Sequence, residues 1–405
     1  MNGIYTIYKR DPDGTQGELI AAITSLELTM SATKLSKIKL EGSTVGTVPL
    51  TAGDSVIVYR NGLMLLGFII DEVLTDCDSP ATGLKSWTAS GEEDTVMFSW
   101  RQVLGDPAEL TFDKETYDQI EDSAYNRIIH YIEDCCGKGT TPERKLSDGM
   151  KLPGKEDRGT VAVSAYRSIN LQKALEEIGS TDELYPKIIR DDKTGAMRVV
   201  IQAFRNMVDD VIISPEFGNV LSWSRTETPP EFNVVWVVSG DYSKGRLYVY
   251  MEDEESVRLY GRREQIVTKS DIKVYEPDED EDEDADEAEA EAEAGDQLTE
   301  ADVYSILQEE ARTQLKDHGR KRTWSIEASE THAMAFMDDW QVGDRVTCSI
   351  DGERFESQIT EAKITYEKGI ETVKPSVGDV ERGLFGKLFE MIEGLDSRIT
   401  RKENE

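Results

Sequence analysis

The sequence predicts a β-rich α+β protein: two similar β-barrel domains, an α+β insert between them and a C-terminal helix. Three observations carry that expectation. Short runs of alternating or β-branched residues, separated by turn residues, recur towards both ends of the chain, as in a small barrel or sandwich. Residues 51–75 (TAGDSVIVYRNGLMLLGFIIDEVLT) are echoed by 340–369 (WQVGDRVTCSIDGERFESQITEAKITYEKG). Between these ends, apolar residues switch to helical spacing.

The echo is specific. Gly53-Asp54 and Gly343-Asp344 each precede an alternating run, and Asn61-Gly62 and Asp351-Gly352 follow at the same spacing. Both dipeptides tolerate the positive φ angles of a type I′ turn, whose twist suits the strands it joins. Val56 and Val58, like Val346, Cys348 and Ile350, fall on one face by the period of two. Beyond the turns, Ile69 and Ile359 stand at the same offset.

The first domain is expected over 1–99, with strands near 5–8, 20–29, 35–40, 55–59, 63–74 and 84–90. The insert follows over 100–210. Tyr117, Ile120, Ala124, Ile128, Tyr131 and Cys135 predict a helix over 116–136 that stops at Gly137. Residues 137–159 read as loop, and a second helix starts after Asn170, a plausible N-cap, and ends at Gly179. A hairpin over 185–190 and 197–204 turns at Asp191-Asp192-Lys193-Thr194-Gly195.

The second β-domain is expected over 211–378. Its most apolar run, FNVVWVV over 232–238, predicts a buried central strand. Strands are expected also at 245–252, 258–260 and 266–268. An acidic insert, 276–298, interrupts the domain, and its self-repulsion keeps it out of any core. Thr299-Glu300-Ala301-Asp302 fits a capping box for a helix over 299–318, with Val303, Ile306, Leu307, Ala311 and Leu315 on one face. Another strand is expected over 322–328. The last helix, 379–405, shows a stripe of Leu384, Phe385, Leu388, Phe389, Ile392 and Leu395 that needs a partner surface.

Composition limits the function. The 405 residues exceed what a single core holds, so several domains are expected. The formal charge is −35, from 81 acidic against 46 basic residues. That balance argues against specific nucleic-acid binding, which uses cations to release phosphate counterions, and against anionic membranes. An acidic wall would instead keep DNA from sticking as it slides past. Nothing resembles a signal peptide or membrane span, so a soluble protein made in a reducing cytoplasm, with no membrane anchor, is expected.

No chemistry stands out. Cys77, Cys135, Cys136 and Cys348 form no CxxC pair, and His130, His318 and His332 form no ligand motif. His130 reads as a half-buried packing residue. Carboxylate pairs carry no information in so acidic a chain. Arg262-Arg263 and KDHGRKR over 316–322 flank the acidic run, and local charge compensation is the plainer reading. No catalytic, cofactor-binding or metal-binding residue is therefore expected.

GEEDTVMFSWRQV, ISPEFGNVLSWSRTETPPEFNVVWVVSG, GRREQIV and WQVGDRVTCSIDG, with YEKGIETVKPSVG, occur in an order that resembles the tail-hub, or baseplate-hub, proteins of long-tailed phages, the siphoviruses. The resemblance covers about residues 4–378, and the acidic insert departs from it. It implies a structural protein of the virion tail tip: a homotrimer whose two barrels per chain mimic a sixfold ring and continue the tail tube. It also implies a distal tail protein, a tape-measure protein and receptor-binding or tail-fibre proteins as partners, with DNA passing through the lumen. Relatives with long C-terminal extensions carry peptidase or fibre domains; here, receptor binding and wall degradation are expected of other proteins. A tail-associated cell-wall hydrolase, and the hub of a contractile tail or injection device, are the alternatives.

Overall fold

A computed structural model describes residues 3–21, 23–79, 81–105, 117–180, 182–202, 204–241, 244–274, 298–328 and 335–377. The expected C-terminal helix lies outside the described residues, as do 276–297 of the acidic insert. The chain divides into two compact units. One comprises Met1–Arg205, Pro229–Arg320 and Lys363–Thr372; the other comprises Asn206–Thr228, Lys321–Ala362 and Val373–Glu405.

The first unit begins with an antiparallel array. Ile23–Ser31 pairs with Lys37–Val45, which pairs with Leu84–Glu93, which pairs with Leu63–Ser79. Ser55–Arg60, Tyr5–Arg10 and Gln16–Leu19 continue it in that order. Alternation puts Leu26, Leu28, Ile38, Leu40, Phe68 and Ile70 in the core, as half-buried strands require, whereas Ser55–Arg60 is buried on both faces, with Ile57 as inaccessible as Val56 and Val58. The expected barrel does not close: the strand order is open, and Gln16–Leu19 forms no ladder with Ile23–Ser31. The free edge is instead covered by the insert. Gln16 N–H donates to the Asp192 carbonyl at 2.8 Å, and the Tyr59 hydroxyl donates to the Asp192 carboxylate. An edge protected in this way needs no closure.

In the insert, the expected long helix starts late. Asp118–Ser123 is a strand paired along its length with Val161–Tyr166, and the helix runs only over Ala124–Cys136. Ile120 shares the helical spacing, but pairing with a partner strand some forty residues away decides its conformation, and Tyr117 lies just before that strand. The helix Leu171–Ser180 and the hairpin Tyr185–Arg190 with Met197–Gln202 lie where expected. Ile128, Tyr131, Ile132, Leu175, Ile178 and Val199 build the core they share.

A three-stranded sheet follows. Val234–Ser239 is central, antiparallel to Tyr248–Glu252 and parallel to Glu264–Lys269. Val235 and Val237 meet Val303, Leu307 and Ala311 of the helix Glu300–His318, whose Thr299–Asp302 capping box is formed in full. Residues 258–260, expected as strand, end the short helix Glu254–Tyr260. Asp253 caps it by accepting the Ser256 N–H, and Gly261 leaves it at φ 78°, so cap chemistry overrides a weak alternation.

The stretch 229–320, expected within the second β-domain, belongs to the first unit. Its helix is clamped to the insert by Arg127, which holds Glu309 at 2.8 and 2.9 Å. The second unit pairs Arg345–Ile350 in parallel with Ile212–Ile213 and antiparallel with Glu353–Glu367. Lys321–Ala328 pairs with Val220–Thr228 and, at Trp324, with Val377. Trp324, Phe336, Trp340, Val346, Cys348 and Ile359 are buried there.

Gly91 shows how tightly the first array is built. A Cβ there would stand 2.2 Å from the Ile69 carbonyl oxygen, a backbone atom that cannot swing aside. Gly91→Ala should cost about 2 kcal/mol or more, read as a lower urea midpoint. Gly154→Ala, with nothing within 4 Å, should leave the midpoint in place.

Candidate functional site

The echoed segments fold into the same device, one in each unit. Gly53 takes φ 91° and Gly343 φ 101°, a region in which a side chain is strained. Gly53 N–H donates to Ile70 O and Gly343 N–H to Ile359 O, both at 2.7 Å. Ile70 N–H returns to Asp54 O at 2.8 Å and Ile359 N–H to Asp344 O at 3.0 Å. The aspartate side chains reach back three residues: Asp54 accepts Thr51 N–H at 2.7 Å and Asp344 accepts Gln341 N–H at 2.8 Å. At the far ends, Asn61-Gly62 (φ 54° and 79°) and Asp351-Gly352 (φ 55° and 77°) make equivalent turns.

One equivalence differs from the sequence reading. The counterpart of Ile359 is Ile70, not Ile69. The register shifts after Val58, which faces Leu66 while Tyr59 faces Met64, so Leu65 is an extra residue; the second hairpin pairs without interruption. A bulge moves the partner by one place, which equal spacing in sequence cannot reveal.

Beneath the first turn lies a buried polar cluster within the first unit. Arg60 grips Glu371 through Nε and Nη2, each at 2.9 Å, with side chains 8% and 2% exposed. Glu371 also accepts the Gly3 N–H at 2.7 Å and the Tyr5 hydroxyl. Burial opposes ionisation of Glu371, yet the Arg60, Tyr5 and Gly3 donors hold its carboxyl below the usual range. Burial, then the neighbouring Glu371, pushes the Tyr5 phenol up. Above the cluster Asn61 N–H bonds Ile4 O, and Ile4, Leu63 and Ile370 stand exposed at 66%, 76% and 62%. The sequence carries no signal for this cluster, because its members meet across more than three hundred residues.

The titratable residues singled out in the sequence have local partners. His130 Nε2 lies 2.6 Å from Asp118 Oδ1 and Nδ1 lies 3.2 Å from Asp134 Oδ2. These three residues could bring ion-ligating atoms within 4.8 Å of one another. With a carboxylate at each nitrogen, however, the ring is placed as an imidazolium that ties the helix Ala124–Cys136 to the strand before it. Burial disfavours that charge, but the Asp118 hydrogen bond and the Asp118 and Asp134 charges outweigh it and raise the His130 pKa. His318 stacks on Phe232 and contacts Glu231 at 2.8 Å; His332 lies outside the described residues. Burial pushes the Cys136 and Cys348 thiols up to about 12, so neither is a thiolate nucleophile at neutral pH. Arg262 pairs with Glu252 and Glu264, and Lys316 donates to the Ser180 carbonyl. Lys269 lies 2.6 Å from Glu310 and 3.8 Å from Glu177, joining strand and two helices.

Comparison with known proteins adds a lineage. A family described as "Siphovirus ReqiPepy6 Gp37-like protein" matches residues 6–379. No curated protein matches the sequence. Among solved structures, the 43 kDa tail protein of prophage MuSo2 from Shewanella oneidensis is similar, with TM-score 0.56 and 12% identity over 92% of this chain and 97% of that one. A tail protein from Neisseria meningitidis MC58 gives 0.55 at 12% identity, over 93% and 96%. The prophage tail protein gp18 from Listeria monocytogenes EGD-e gives 0.51 at 12%, over 96% and 99%. At such identities the likeness is one of fold.

Two measurements probe these clusters. Glu371→Ala strands a buried guanidinium and should cost about 3–5 kcal/mol in denaturant unfolding, whereas replacing both partners (Arg60→Met with Glu371→Leu) should recover most of that loss. The raised His130 pKa means its contribution is complete below about pH 6.5 and is lost as pH rises through the folded-state value. Wild type should therefore lose stability relative to His130→Asn between pH 6 and pH 9, with thermal unfolding as the readout.

Proposed function

The chain belongs to the siphovirus ReqiPepy6 Gp37-like protein family, and from that premise we propose that it is a structural hub of the phage tail tip. Three copies form a ring. Each contributes two units built on an equivalent Gly-Asp hairpin, so that a threefold assembly presents sixfold geometry to the tail tube. The observation that supports this reading best is the duplicated Gly-Asp hairpin, whose hydrogen bonds repeat donor for donor in the two units. A ring of identical folds needs equivalent edges at each position, and closed rotation makes such contacts self-limiting.

The role is structural rather than catalytic. The hub joins the distal tail protein and the tape-measure protein on one side to receptor-binding or fibre proteins on the other. The net charge of −35 suits a passage through which DNA slides without adhering, because like charge raises the energy of a phosphate near the wall. The proposed place of the protein is the tip of the virion tail.

Light scattering on the purified chain tests the stoichiometry. A mass three times that of the 45.5 kDa chain is expected, persisting on dilution to micromolar concentration. A single-chain mass at the highest concentration reached would overturn the ring.

A further inference from the structure

One face of the three-stranded sheet in the first unit has no use in the hub reading. Val235 and Val237 point to the helix Glu300–His318, so by alternation Trp236 points the other way. Cross-strand register sets Tyr250 and Ile266 on either side of Trp236, and Tyr248 beside Val238 in the next row. The flanks of this row are open to solvent, with Tyr248 60% exposed, Tyr250 43% and Ile266 64%, and Trp236 between them is half-buried. The Trp236 and Tyr250 rings sit 5.2 Å apart, inclined at 53°.

The polar frame of the row is fixed. The Arg262 guanidinium lies 5.9 Å from the Trp236 ring centre and 5.8 Å from that of Tyr250. It donates to Glu252 Oε2 at 2.8 Å, to Glu264 Oε1 at 2.5 Å and to the Tyr250 hydroxyl at 3.1 Å. Arg262 is therefore matched by two carboxylates, and among the described residues the row offers an anion no unpaired cation. A strongly acidic chain would repel nucleic acid or phosphate in any case. Two inclined aromatic rings, with the Arg262 guanidinium over both, thus stand beside a carboxylate–guanidinium fork.

We propose that this face, Tyr250–Trp236–Ile266 with Arg262 and its two carboxylates, binds a neutral glycan. Sugar rings carry an apolar C–H face that stacks on an aromatic ring, and adjacent hydroxyls that exchange hydrogen bonds with a carboxylate–guanidinium fork. Exposed aromatics paired with a charge-balanced fork meet both needs. Binding here needs only the first unit's own sheet, so it stands or falls separately from the threefold ring.

The test is direct titration of the full chain with neutral oligosaccharides, using soluble chito-oligosaccharides, β-glucan and α-glucan oligomers in calorimetry after an array screen. Saturable binding to at least one of these is expected. Trp236→Ala and Tyr250→Ala should each weaken it by about tenfold or more. Tyr248→Ser should weaken it less. Circular dichroism and the unfolding midpoint identify variants that keep the fold, and Ile370→Ser, on a separate surface, should bind as wild type. Absence of saturable binding to every neutral glycan, or binding that survives both aromatic substitutions, overturns the proposal. So does a face that proves to be an interface between copies, shown by Ile266→Glu changing the solution mass while no glycan binds.

Discussion

The Gly-Asp turn is the constraint from which the rest of the structure follows. A glycine at positive φ lets the chain double back, and its N–H then meets an isoleucine carbonyl on the returning strand. The aspartate after it holds the corner from both sides, through its backbone carbonyl and through its carboxylate. At Asp54 the carboxylate also takes the Lys9 ammonium at 2.7 Å; despite partial burial, that contact and the Thr51 donors keep it ionised below the usual carboxylate range. With the corner fixed, the strand register is fixed too, and a slip of one residue would turn every apolar side chain outward. Two such corners give each unit an equivalent hairpin.

Around that repeat, the first unit is knitted by buried charge pairs that join distant parts of the sequence. Arg10 meets Asp94 at 2.6 Å with both side chains nearly inaccessible, Arg60 meets Glu371, and Arg127 meets Glu309. Pairs of this kind contribute little net stability over apolar replacements, but a broken one is costly, so they select one arrangement of the elements over others. Those arrangements draw residues 229–320 and 363–372 into the unit that begins at the N-terminus. Chain order and unit membership therefore diverge.

This divergence explains which features could be read in the sequence. Local signals were legible: the Asn61-Gly62 and Asp351-Gly352 turns, the Thr299 capping box, the apolar strand over 234–238 and the hairpin after Tyr185. Features decided by distant partners were not. Ile120 has helical spacing but joins a strand because Val161–Tyr166 lies alongside. The open edge of the first array depends on the Asp192 turn, far later in the chain than Gln16. Leu65 is silent as a bulge until its neighbours are paired. The Arg60–Glu371 cluster and the Asp118–His130–Asp134 bridge are likewise contacts without a motif. In the sequence FNVVWVV reads only as a buried strand, and Val234, Val235 and Val237 are indeed buried, so the aromatic face carries no separate signal.

Sixfold geometry from a threefold particle is the central claim, and end-on electron micrographs of the purified assembly test it most directly. The rotational power spectrum of the class averages should show threefold symmetry at the periphery and a distinct sixfold component at the radius of the inner ring. An inner ring with only threefold modulation, or a particle whose symmetry is not a multiple of three, would contradict it.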